Sequence, residues 1–295
     1  MAEFCDIDWN GYRGLVNSPH IQIESTPIKD KIVDKDIALQ TIRNKITTIQ
    51  LNEFTRTDDE FLMRFIRARK MNVEESYLLL CNYYDYRKKN QELFDNMTLK
   101  DTLIQQALYD GFPGVLANRD RKGRCIILFF CNHWDHCNYS LEVIYRSLLL
   151  SLDKLLDNPQ NQFNGFVFVV DWTDFSLRQS TNLSPRILKS MIDGLQDCFP
   201  ARFKGIHFVN QPWYVEAALA VIKPFLKNKT RDKIFVHGNN LSTLHEAVSK
   251  DILPSELGGE TGSYNPMLWA EQMLRPETAP KISDKDPWKV YPDGN

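Results

Sequence analysis

The chain has no apolar run approaching the roughly eighteen residues that a bilayer-spanning helix needs. Its first residues, MAEFCDIDWN, hold neither the basic nor the apolar stretch that directs secretion. A non-secreted, soluble protein is therefore expected, and Cys5, Cys81, Cys125, Cys131, Cys137 and Cys198 are read as reduced thiols rather than a disulfide framework. Net charge is also scarce, only −2 over 295 residues. That argues against a general nucleic-acid binder, so any cationic site has to arise from local clustering. Phosphate-cradling glycine loops are missing, with neither G-x-G-x-x-G nor G-x-x-x-x-G-K-[ST] present. A G-x-S-x-G nucleophile elbow is absent too, and no catalytic constellation replaces it, so no enzyme and no cofactor is expected. Cys131, His133, His136 and Cys137 crowd one short loop, but no matching ligand pair waits elsewhere in the chain, and wrapping a metal within so few residues would be cramped. The loop is read as buried thiols held by Trp134, without a metal.

What is present has a clear grammar. Residues 1–30 lack periodicity and read as a leader, and 31–100 carry helical patterning as a small N-terminal module. Within it FLMRFIRAR, Phe61 to Arg69, interleaves arginines with large apolar residues. Over 101–262 strands alternate with helices, which predicts an α/β domain with a mixed, mainly parallel sheet. A hairpin at 114–131, a long helix at 140–157 and a doubly covered strand at 165–171 open it. A helix from Ser184-Pro185 follows, and Thr243 to Glu246 read as a capping box. Residues 263–295 read as a tail with a short helix at 265–274.

The stretch 199–238 organises the rest. A strand is followed by a helix over 212–226 in which only Glu216 and Lys223 carry charge, then by Lys227, Lys229, Arg231 and Lys233, then by a second strand. A helix with no solvated face is buried, covers an apolar cavity, or meets lipid.

Taken in order, FLMRFIRAR, Tyr83-Tyr84, Gly114-Val115, Arg119-Asp120, His133-Trp134-Asp135, Phe199-Pro200, Lys204-Gly205-Ile206-His207, Asn210-Gln211-Pro212, Val236-His237-Gly238 and Gly258-Gly259 resemble the CRAL-TRIO (Sec14-like) lipid-binding family. The likeness is greatest to the animal branch of the clavesins, the α-tocopherol transfer protein and the cellular retinaldehyde-binding protein. The resemblance implies a gate helix at 212–226 closing an apolar cavity. Its walls would be Tyr145, Leu148, Leu152, Phe166, Val170, Phe175, Leu177, Leu195 and Phe199, with Val215, Ala218, Ile222, Phe225 and Leu226 on the gate. It also implies a basic cleft for phosphoinositide headgroups at Arg69, Arg202, Lys204, Lys229 and Lys233, the last two one helical turn apart. Ala201 stands where phosphatidylinositol carriers place a glutamate, and Leu148 and Leu152 where tocopherol carriers place hydroxyl residues. An apolar, isoprenoid-like cargo is the expectation. The implied protein is a monomeric cytoplasmic carrier that moves a hydrophobic ligand between membranes, transiently on endosomal or other phosphoinositide-bearing ones. The alternative is a clavesin-like trafficking adaptor that carries nothing.

Overall fold

The computed structural model describes residues 32–48 and 55–275; the expected leader at 1–30 and the tail beyond 275 lie outside the described residues. Three helices, α1 (Ile32–Thr48), α2 (Asp59–Ala68) and α3 (Val73–Lys89), bury Ile42, Phe61, Phe65, Leu80 and Tyr83 in a core of their own. Helix α2 starts where it does because the Asp58 side chain accepts the Phe61 N–H, with Asp59 and Glu60 following in the first turn. The helical pattern does not run unbroken through α3. Lys70 and Met71 are both left-handed, at φ 54° and 68°, which ends α2, and the Asn72 side chain then caps α3.

The remaining elements are α4 (Gln91–Phe94), α5 (Thr102–Tyr109), β1 (Gly114–Val115), β2 (Cys125–Phe130), α6 (Leu141–Leu155), α7 (Pro159–Asn164), β3 (Phe166–Asp171), α8 (Leu177–Ser180) and α9 (Pro185–Asp193). After them come β4 (Phe203–Val209), α10 (Trp213–Ile222), α11 (Asn228–Arg231), β5 (Ile234–Val236), α12 (Leu241–Ala247) and α13 (Met267–Leu274). The sheet runs in the order β1-β2-β3-β4-β5, with β1 antiparallel to β2 and the other three pairings parallel. The fold is α/β with a mixed sheet. Strands β2 and β3 are nearly all Ile, Val, Leu and Phe because both faces are covered. Phe166 and Phe168 point into a core shared with Tyr145, Leu148 and Leu152 of α6, while Val167 and Val169 point the other way, onto Leu244 and Val248.

One buried arginine ties the helical module to the α/β domain. Arg64 is 5% exposed and reaches two α6-side carboxylates, donating from Nη1 to Asp153 at 2.6 Å and from Nη2 to Asp157 at 2.7 Å. The helix read at 265–274 is α13, and it is integral to the packing. Trp269, Ala270 and Met273 are buried in the α6 core, and the Trp269 indole donates to Ser151 Oγ at 3.1 Å.

Two capping assignments are corrected. The Ser184 side chain makes no cap hydrogen bond at the start of α9. Helix α12 begins earlier than Thr243, at Asn240, whose side chain accepts the Ser242 N–H. The Thr243 hydroxyl is engaged by His237 instead.

Candidate functional site

Helix α10 leaves β4 through a left-handed Asn210 at φ 55° and starts after the extended Pro212. Its run of alanines and leucine favours the helix, yet no face of it is polar. The inner face buries Val215, 2% exposed, and half-buries Tyr214, Ala218, Leu219 and Ile222. The outer face is also largely apolar and faces solvent, with Trp213 73% and Val221 63% exposed beside Ala217 and Ala220 and with Glu216 as its one charged residue. An ordinary surface helix places charged residues there.

Polar contacts hold this helix at both ends. The Tyr214 hydroxyl donates to the Phe175 carbonyl. At the far end the Gln196 side chain accepts the Lys227 N–H at 2.8 Å and donates to the Phe225 carbonyl at 3.3 Å. Arg231 donates to the carbonyls of Lys223 and Leu226, both at 3.3 Å. Beside α10 lies α9, which runs into a π-helical turn, Gly194–Cys198. Gly194 is required there because a Cβ would come 2.0 Å from the Tyr145 hydroxyl. That hydroxyl lies 3.3 Å from the Tyr86 hydroxyl, which donates to the Ser190 carbonyl at 2.7 Å.

Beneath α10, Tyr145, Leu148, Leu152, Phe166, Phe175, Phe199 and Val215 are buried in one cluster, with Val170 and Leu195 half-buried against it. Leu226 is buried at the end of the lid. Two residues expected to line the interior do not. Leu177 is 57% exposed at the start of the single-turn α8, and Phe225 is 46% exposed. Phe225 lies in a 3₁₀ turn, Lys223–Phe225, where Pro224 breaks the α-helical phase that would have turned it inward. Leu188 and Met191 of α9, and Trp172, Tyr214 and Leu219, pack there instead. Ile187, Leu188 and Met191 stand at amphipathic spacing, so α9 was readable as a second wall. Two clefts open at the surface, one of about 450 Å³ at Arg121 and His245 and one of about 320 Å³ between α3, α6 and α9 that reaches Tyr145.

The cations divide by what they already touch. Lys227 pairs with Asp197 at 2.5 Å and Arg231 is occupied with lid carbonyls. Arg202, which donates to the Phe163 carbonyl at 2.9 Å, and Lys204, Lys229 and Lys233 have no ion-pair partner among the described residues. The backbone gathers three of them at one end of the sheet. Arg202 accepts the Phe166 N–H at 2.9 Å and Lys233 accepts the Ile206 N–H at 2.8 Å, with Lys204 between them where β4 shifts register against β3. Gly165, at φ 79°, makes the first approach possible, since a Cβ would lie 2.1 Å from the Arg202 carbonyl oxygen. Burial, and then Arg202, Lys233, Lys70 and Arg124, push the Lys204 ammonium down to about 8. Lys233 is lowered likewise by burial, Arg202 and Lys229. Such a cluster is relieved by an anion. Burial lowers the pKa of Arg69, and Glu75 and Asp197 act in the opposite direction. Lys229 and Lys233 do not share a helical turn, because α11 stops at Arg231 with Asp232 as its C-cap.

The opposite face of β4 holds a buried histidine chain. His207 Nδ1 lies 2.9 Å from His237 Nε2, and His237 Nδ1 lies 2.7 Å from Thr243 Oγ1. Thr243 spends its proton on the Asn240 carbonyl at 2.9 Å, so it accepts from His237, which in turn accepts from His207. Both rings are neutral in this arrangement. Burial, and then His237 and Arg124, lower His207 to about 4.

Among the described residues no His, Cys, Asp and Glu side chains gather as a metal site. Trp134 is buried in the 131–137 loop, its indole donating to the Tyr139 carbonyl at 3.0 Å.

Comparison with known proteins places this arrangement. Residues 109–259 match the CRAL/TRIO domain. Clavesin-1 of Pongo abelii is 45% identical over 280 residues, 91% of this chain and 78% of that protein. Clavesin-1 of Xenopus laevis is 49% identical over 239 residues, 81% of this chain and 72% of that protein. Clavesin-2 of Homo sapiens is 48% identical over 236 residues, 80% and 72%. The crystal structure of Sfh5 shares the fold, with a TM-score of 0.52 at 16% identity over 82% of this chain and 96% of that one. The chain belongs to the CRAL/TRIO family of lipid-binding proteins, in the branch of its clavesin relatives.

Proposed function

We propose that the protein is a non-catalytic carrier that encloses a hydrophobic ligand beneath α10 and exchanges it at membranes bearing phosphoinositides. The observation that carries this reading is a lid apolar on both sides, with Val215 buried within and Trp213 and Val221 exposed without. The outer face has an apolar environment to enter only when it meets lipid. The cation cluster supplies the second part. Arg202, Lys204, Lys229 and Lys233 repel one another and lack carboxylate partners among the described residues, so a polyanionic headgroup lowers their energy. If that headgroup is held better when the latches at Tyr214, Gln196 and Arg231 are released, its binding shifts the lid toward the open form.

The test is native mass spectrometry of the full chain purified from a eukaryotic host, together with vesicle flotation. A bound lipid, lost on Ala218→Trp while phosphoinositide vesicles are still bound, is the expected result. Vesicle binding with no bound or loadable lipid, and no effect of Ala218→Trp, would establish a membrane adaptor in place of a carrier.

A further inference from the structure

The Tyr86, Tyr145 and Tyr214 hydroxyls of the cluster beneath the lid have hydrogen-bond partners, but one indole packed against it does not. Trp172 follows the last residue of β3, and its own N–H is bonded to the Val209 carbonyl at 3.0 Å, which turns the indole into the α6-side core. The ring is held edge-on against Phe175 at 4.9 Å and lies 6.0 Å from Phe208. Its Nε1–H is shielded from solvent and has no acceptor among the described residues. Trp172 as a whole is half-buried, and the two fully buried indoles each have an acceptor: Trp134 donates to the Tyr139 carbonyl and Trp269 to Ser151. A buried N–H without a partner is costly. The position adjoins the moving part, because the lid residue Tyr214 is bonded to the carbonyl of Phe175, the ring that Trp172 packs against.

We propose that Trp172 determines ligand specificity, and that the enclosed molecule is not a pure hydrocarbon but carries an oxygen acceptor (hydroxyl, carbonyl or ester) that receives the Trp172 Nε1–H. This rests on the carrier reading and narrows the isoprenoid-like expectation to oxygenated members of that class. Satisfying a buried donor favours the oxygenated ligand about tenfold over the matching hydrocarbon. Tryptophan also suits the position sterically, since its ring fills the space beside Phe175 whether or not the proton is engaged.

The experiment loads the full chain with a matched pair of probes, phytanol and its hydrocarbon phytane, from phosphatidylcholine vesicles. Retained ligand is quantified by extraction and mass spectrometry for the wild type and for Trp172→Phe. The wild type is expected to retain phytanol about tenfold better, and the variant to retain both alike while floating normally with phosphoinositide vesicles. In the nitrogen-15 spectrum the Trp172 indole resonance, assigned by its absence from the variant, is expected to move downfield with phytanol and not with phytane. Equal retention of the two probes by the wild type, or an undiminished preference in Trp172→Phe with an unmoved indole signal, overturns the inference and leaves the carrier standing. Retention of neither probe by the wild type overturns the carrier reading and this inference together.

Discussion

The outer face of α10 gives the most consequential prediction. Trp213→Ala with Val221→Ala removes the two side chains that project furthest into solvent, 73% and 63% exposed. A tryptophan side chain offers about 200 Å², so about 150 Å² is free to enter a bilayer, and at about 25 cal/mol per Å², less what alanine retains, the loss is about 2 kcal/mol. Valine contributes about 1 kcal/mol more, from two methyl-sized groups at about 0.8 kcal/mol each, scaled by exposure. The sum, about 3 kcal/mol, lowers vesicle partition about a hundredfold. Neither side chain contributes much to the folded interior, so the midpoint of urea unfolding should stay within about 0.5 kcal/mol of the wild type. Vesicle flotation at fixed lipid concentration, read beside a urea melt, decides the matter. An unchanged partition refutes the idea that this face enters lipid, and a large drop in stability would show that the face packs against something else.

Further predictions concern charge and docking. Lys204→Ala with Lys233→Ala should flatten the salt dependence of binding to phosphoinositide vesicles and weaken it at least tenfold; because Lys204 is lowered to about 8, wild-type binding should also decline from pH 7 to 9, which titrated flotation would reveal. His207 titrates at about 4 when folded and near 6.5 when unfolded, so the unfolded chain takes up more protons between those values; stability present above pH 6.5 is lost as pH falls toward 4, by about 3 kcal/mol, and His207→Asn should remove most of that slope in urea melts. Arg64→Met leaves Asp153 and Asp157 facing each other without their cation and should cost about 2 kcal/mol in the same assay, with α1 to α3 losing hydrogen-exchange protection first.

Periodicity is local, and what is local in this chain was legible. The apolar runs of β2 and β3, the stripe of α6 and the fully apolar α10 all announced themselves, because neighbouring residues alone decide which face is dry. The cation knot after α10 was legible as a knot but not in its division of labour. Whether Lys227 is free depends on Asp197, and whether Arg231 is free depends on lid carbonyls, which no spacing shows. Arg64 likewise read as one of the arginines interleaved with apolar residues in FLMRFIRAR until Asp153 and Asp157, 89 and 93 residues away, came to meet it. Phe225 was misplaced because Pro224 changes the pitch of a single turn, and Thr243 because its hydroxyl serves a histidine rather than a helix start. The unpaired indole of Trp172 has no sequence signal at all, since a missing partner is a property of the assembled core.

Release of a lipid from beneath α10 at a membrane is measured directly by lipid transfer. Donor vesicles containing the lipid that copurifies with the protein are mixed with acceptor vesicles with or without phosphoinositide, and the rate of appearance in the acceptor is followed. Catalytic amounts of protein should move lipid faster to phosphoinositide acceptors, with Trp213→Ala and Lys204→Ala with Lys233→Ala each slowing transfer while the bound lipid remains. Tight vesicle binding with no transfer above the protein-free rate would contradict such release.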